Sequence, residues 1–164
     1  MLSDSIDRIV LAVEAEDAMG LRELSREFSE QAVTVQSEEL IDLALVTYCF
    51  NKIFSKVHFK ENLADFKVKV LAELSRGDFK AVLDDVEAFD RQFGAFEGNL
   101  VVKARIKVGS RLYSSGLSLS QSASLTGVGV SDILGYVGET KTHEKIKPFS
   151  VAERYRLAKE LVRK

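Results

Sequence analysis

A second cysteine is missing. Cys49 stands alone in 164 residues, so the chain can close no internal disulfide. That points to a reducing, cytoplasmic setting. Cys49 lies in the most apolar stretch and reads as a small buried hydrophobe. Long hydrophobic runs are missing as well. None approaches the roughly 18 residues that span a bilayer, so no membrane partner is expected. The opening Met1-Leu2-Ser3-Asp4-Ser5 has no basic segment ahead of an apolar one, which speaks against a secretory leader. Histidine is scarce: His58 and His143 are 85 residues apart, and Cys49 precedes the first by nine. No zinc site has that spacing.

The usual chemical signatures are also lacking. Gly127-Val-Gly129 does not extend to GxGxxG and follows no strand, so a dinucleotide fold is not indicated. No GxxxxGK[ST] loop is present to cradle phosphates. The serines around Ser114-Ser115 and Ser118–Ser122 have no GxSxG elbow and no base nearby. They suit helix capping. Asp84, Asp85, Glu87 and Asp90 form an acidic patch, read as a solvated face or a partner for basic residues elsewhere, not as paired catalytic carboxylates. No set of mutually positioned catalytic groups can be assembled. The expectation is a non-enzyme with no cofactor and no metal.

What the sequence has is helical periodicity. The 46% hydrophobic and 29% charged residues are in the proportion of a globular domain. No alternating strand pattern of four or more residues occurs, so the fold class is all-α, a multi-helical bundle. Ile6, Ile9, Val10 and Val13 mark a first helix over about 4–17. Leu21, Leu24, Phe28 and Ala32 mark a second over about 18–33, followed by a short connection, Val33 to Gln36. The stretch from Ser37 to His58 is apolar on most sides, which predicts the helix on which the others pack. Ser37 is its N-cap, with Glu38 and Glu39 at the positive end of the dipole. Leu63, Phe66, Val70 and Leu74 define a fourth stripe, closed by Gly77. Asp78 caps a fifth, carrying Val82, Val86, Phe89 and Phe93, which Gly94 ends. The pair from Glu61 to Gly94 reads as a helical hairpin. Asn99 caps a sixth helix over 100–115, broken by Gly116.

Charge is divided unevenly. Up to Gly98 there are 11 basic against 20 acidic residues, a balance of −9. Beyond it there are 12 against 5, a balance of +7. The segment Phe96–Asn99 therefore separates an acidic helical bundle, residues 1–95, from a basic part, residues 96–164. Either the basic part meets an outside anion, or the two halves neutralise each other. Lys103, Lys107 and Arg111 recur every four residues and share one helix face. Lys141, Lys145 and Lys147 follow later. A last helix is expected from Ser150, with Glu153 at capping-box spacing and a basic outer side from Arg154 to Lys164.

Within the basic part, Leu119 to Tyr136 reads LSQSASLTGVGVSDILGY. Ser118 and Gln121 have capping-box spacing. Ala123 is small enough for a close helix crossing, and Gly127, four residues on, permits a left-handed turn. Val128 and Ile133 are placed to hold a second helix, which starts at Val130 or Ser131 and which Gly138 should end. This pattern resembles a helix-turn-helix within a tri-helical unit. The wider phrase, from Tyr113 to Val128, is similar to the helix-turn-helix of prokaryotic antitoxin-like regulators. The segment Tyr136 to Glu144 is similar to uncharacterised archaeal helical proteins. Both likenesses imply a prokaryotic, cytoplasmic setting, and the first function expected is a nucleic-acid-binding regulator. Lys103, Lys107, Arg111, Lys141 and Lys145 would then meet phosphates, and Ser131 could approach bases. The reading face is poor in donors, offering Gly129, Ser131, Asp132 and Gly135, with the wrong charge for phosphates at Asp132; the basic residues lie beside the motif instead, and that arrangement suits phosphate contact better than base reading. The alternative is an interaction module that pairs with another protein. DNA, RNA, a protein or a second copy of the chain are the partners in view, and a homodimer fits either reading.

Overall fold

The computed structural model describes residues 2–56, 62–94, 96–97 and 99–145, with side chains as far as residue 139. Among these residues every regular element is helical: α1 (Leu2–Glu14), α2 (Ala18–Val35), α3 (Glu38–Phe54), α4 (Leu63–Ser75), α5 (Phe79–Phe93), α6 (Leu100–Ser114), α7 (Leu119–Thr126) and α8 (Val130–Lys145). The protein is all-α and multi-helical, as the stripes require. No helix among the described residues is long and apolar enough to cross a membrane.

Local chemistry sets most of the boundaries. Asp17, Ser37 and Asp78 each accept a bond from the backbone N–H three residues on. These are orphan donors of the first turn, and a side-chain oxygen satisfies one of them. Ser118 and Gln121 form the reciprocal capping box, at 3.1 and 3.2 Å. Gly94 and Gly127 end α5 and α7 with φ of +62° and +67°, a conformation in which a side chain would be strained.

Four expectations are corrected. The connection from Val33 to Gln36 is helical to Val35, and Gln36 makes the turn with φ +53°. The central helix ends at Phe54, not His58; Val57 and His58 lie outside the described residues. Gly138 does not stop α8, which continues to Lys145. An isolated glycine costs a helix about 1 kcal/mol, too little to end one by itself. Asn99 occupies the N-cap position of α6 but makes no capping bond with its side chain. Asp90, from α5, does the capping instead: its carboxylate accepts from Phe96 N at 2.8 Å and Leu100 N at 2.9 Å. The expected helix from Ser150 and the start of the hairpin at Glu61 lie outside the described residues.

Helix α3 sits at the centre, with 11 of its 17 residues buried on all sides. Its most extensive neighbour is α2, and α5 and α6 pack on its other flanks. An aromatic chain ties three helices together. Phe50 meets Phe66 edge-on at 6.1 Å, Phe66 meets Phe89 at 4.7 Å, and Phe89 meets Phe93 at 4.6 Å. Such pairs add about 0.5–1.5 kcal/mol each beyond the area they bury. Cys49 is fully buried in this core, and burial pushes its thiol far above the ordinary range. It is therefore an inert apolar group. The same core runs on across residue 96, because Leu100, Val101, Ala104, Val108 and Leu112 of α6 belong to it.

Helices α6, α7 and α8 all touch one another. Ala123, Ile133 and Val137 form a second, small core, flanked by Tyr113, Leu119 and Val128. Gly109 lets α6 come close: a Cβ there would lie 2.8 Å from Thr126 Oγ1 and 3.0 Å from Ile133 Cδ1. Arg105 donates to the Thr126 carbonyl at 2.9 Å, at the negative end of α7.

Candidate functional site

The inner face of α6 enters the core, and this fixes where its basic residues go. Lys103 is exposed, whereas Lys107 and Arg111 are half-buried between α6 and its neighbours. Lys107 Nζ donates to the Tyr136 hydroxyl of α8 at 2.5 Å and lies 4.8 Å from the centre of that ring. Arg111 Nη1 donates to Ser25 Oγ of α2 at 3.2 Å, and Ser25 Oγ in turn donates to the Ala44 carbonyl of α3 at 2.9 Å. That relay holds the guanidinium against three helices.

Three cavities with shared walls open along this seam. The first, about 480 Å³, lies between Lys56, Lys103 and Phe96. The second, about 440 Å³, shares Tyr48, Lys52 and Ser55 with it, and adds Arg22, Lys107, Arg111 and Tyr136. The third, about 310 Å³, shares Lys107, Arg111 and Tyr136 with the second and ends at Arg26 and Ser115. Together they make a trench whose walls come from α2, α3, α6 and α8 and from the connections at Ser55, Lys56 and Phe96.

The electrostatics of the middle cavity are one-sided. Arg22, Lys52, Lys107 and Arg111 line it, and no carboxylate does. Lys107 and Arg111 use neutral hydroxyls as partners. Arg22 makes no hydrogen bond or ion pair with any described residue. Burial lowers the pKa of the Arg111 guanidinium; the nearby charges of Arg22 and Arg26 add to this, and Tyr48 and Tyr136 oppose it. An arginine stays charged regardless. The cavity thus sets the partly buried Arg111 among like charges, and an incoming anion would relieve the repulsion it feels. Among the described residues, carboxylates meet the trench at its two ends, and Glu30 lines the third cavity. Arg26 pairs with Glu30 at 2.9 Å, and Lys103 lies 3.9 Å from Glu97.

The acidic patch does not neutralise the stripe. Asp85 pairs with Lys69, Glu87 pairs with Arg91 at 3.4 Å, and Asp90 is spent on the α6 terminus. Of the residues singled out from the sequence, Lys103, Lys107 and Arg111 come together in the trench. Ser131 is exposed in the first turn of α8 and is not among the residues lining the trench. Lys141 and Lys145 belong to α8, and their side chains lie outside the described residues. Residues that sequence reasoning passed over are Arg22, Arg26, Lys52 and the rings of Tyr48 and Tyr136. Their signal was present but scattered: they sit in the half of the chain whose net charge is negative, or in a segment read as a turn motif.

Compared with known proteins, the chain matches no family model, no curated protein and no solved structure.

Proposed function

We propose that this protein binds nucleic acid through the phosphates, with the trench as its contact surface and a regulatory, non-enzymatic role. The observation that carries the reading is the middle cavity: four cations from three helices, with two tyrosines and no carboxylate among the residues lining it. Surface cations within a fold ordinarily neighbour acids, and each such pair adds about 0–1 kcal/mol. A cluster left without them is the electrostatic footprint of a polyanion partner. The regulatory part of the reading rests on the helix-turn-helix likeness of α7 and α8. Base reading by α8 has little support. Its outer face presents Val130 (41% exposed) and Leu134 (48% exposed), and the Asp132 carboxylate accepts from Gly129 N at 3.2 Å. Contact with phosphate, not with base edges, is what the side chains favour.

Those exposed apolar residues, one helical turn apart on α8, favour a second reading in which α8 docks on a protein partner. The two readings use different surfaces and can be separated. The test is a gel shift at low salt with a mixed pool of RNA and DNA, using wild type and the double variant Arg22→Glu plus Lys52→Glu. Both side chains are exposed, so the fold should survive the change. Retention by wild type and its loss in the variant support the trench. Retention unaffected by the variant rejects the trench as the surface, and no retention by wild type rejects the function. Nucleic acid carried through purification is a second readout. The chain has no tryptophan, so the ratio of absorbance at 260 and 280 nm responds strongly to bound nucleotide.

A further inference from the structure

Three lysine–aromatic contacts occur among the described residues, and all three lie in the trench. Lys56 Nζ is 4.3 Å from the centre of the Phe96 ring, Lys52 Nζ is 5.5 Å from that of Tyr48, and Lys107 Nζ is 4.8 Å from that of Tyr136. The rings follow the cavities in order. Phe96 lines the first, Tyr48 the first and second, and Tyr136 the second and third. Single contacts of this kind are common glue in folds, worth about 0.5–1 kcal/mol when exposed. A series of three along one open trench is a pattern the core does not need.

A ring beside an ammonium group complements a nucleotide whose base is unstacked. In each contact the ammonium lies over the ring, so it would move aside to the adjoining phosphate as the base takes its place on the ring. A duplex cannot use such a wall, because its bases are already stacked on one another and its grooves expose only their edges. Nor can its stiff rod follow charges recessed between helices, as Lys107 and Arg111 are. Each cavity, by contrast, has the volume that admits a drug-sized group, such as one nucleotide. We propose that the ligand of the trench is a single strand of nucleic acid, with Phe96, Tyr48 and Tyr136 as successive stacking platforms. This rests on the nucleic-acid reading above and specifies its substrate class.

The test compares a fluorescein-labelled strand of about 12 nucleotides with the duplex of the same sequence, by anisotropy in about 50 mM salt. RNA and DNA strands are both used, and preferential binding of either satisfies the proposal. The single strand should bind at least tenfold more tightly than the duplex. Tyr48→Leu and Tyr136→Leu should each weaken the single strand by roughly tenfold and leave duplex binding unchanged. Because Tyr136 also anchors α8, a measurement on unaltered protein accompanies the variants. With no tryptophan to mask it, tyrosine emission should be quenched as unlabelled strand saturates the trench. Duplex bound as tightly as single strand, or emission unchanged at saturation, overturns the inference while the nucleic-acid reading stands. Failure of both single strand and duplex to bind overturns both.

Discussion

Asp90 carries more than its place in an acidic patch suggested. It is fully buried, and its two oxygens serve two different backbone donors at the entrance to α6. Removing it leaves those donors unsatisfied inside the protein, where each costs about 1–3 kcal/mol. Asp90→Ala should therefore lower the stability by about 2–4 kcal/mol, read from the midpoint of urea unfolding. Glu73 behaves in the opposite way. It is only 7% exposed, and in a fully ionised pair its Oε2 and Asp85 Oδ2 would both be buried without a donor. Burial, followed by the hydrogen bond and charge of Asp85, raises its carboxyl above the usual value of 4.5, while Lys69 and Arg76 pull the other way. A carboxyl whose folded pKa is raised stabilises the fold below the unfolded pKa, and that stability is lost as pH rises through the folded value. Glu73→Gln keeps the hydrogen bond without the charge. The variant should gain about 1 kcal/mol at pH 7, a rise in Tm of about 2–4 °C. Melts repeated near pH 4 should show no gain.

The contact between α6 and the α7–α8 pair depends on Gly109. A side chain there meets Thr126 Oγ1, which is itself held by the Ser122 carbonyl at 2.7 Å and cannot yield easily. Gly109→Val should cost about 1–3 kcal/mol through overpacking. Faster amide exchange should then appear in α7 and α8 but not in α3, because the second core is separate from the first. Elements of this kind were mostly legible in the sequence. Apolar stripes, N-caps at Ser37, Asp78 and Ser118, and left-handed glycines at 94 and 127 depend on neighbours three or four positions away. What was not legible depends on residues far apart. Asp90 caps a helix ten positions on because α5 turns back beside α6. Arg22 and Lys52 reach Arg111 only because α2, α3 and α6 pack together, and no local window contains that fact.

At the scale of the whole molecule, the sequence asymmetry of −9 and +7 gives way to a more local picture. The half with the negative balance supplies Arg22, Arg26, Lys52 and Lys56 to the trench; of its acids, Asp85 and Glu87 pair elsewhere, whereas Glu30 and Glu97 meet the trench at its ends. The four cations of the middle cavity can then meet phosphates, and six can if the paired rim residues Arg26 and Lys103 are released. For a single strand each contact contributes about −0.7 to the slope of log affinity against log salt. A slope of about −3 to −4 should follow from titrations at several salt concentrations. A slope near zero would mean that the trench is not the contact surface.

The seam between residues 95 and 96, where composition alone would divide the chain, runs through the middle of this surface. Cutting there would separate Arg22 and Lys52 from Lys107 and Arg111, and would deprive α6 of the carboxylate that starts it. Neither fragment by itself should retain an oligonucleotide. Mixing the two should restore retention by reconstitution, since their shared apolar interior would bring them back together. On the proposed reading, the binding surface belongs to the undivided chain and to neither part of it.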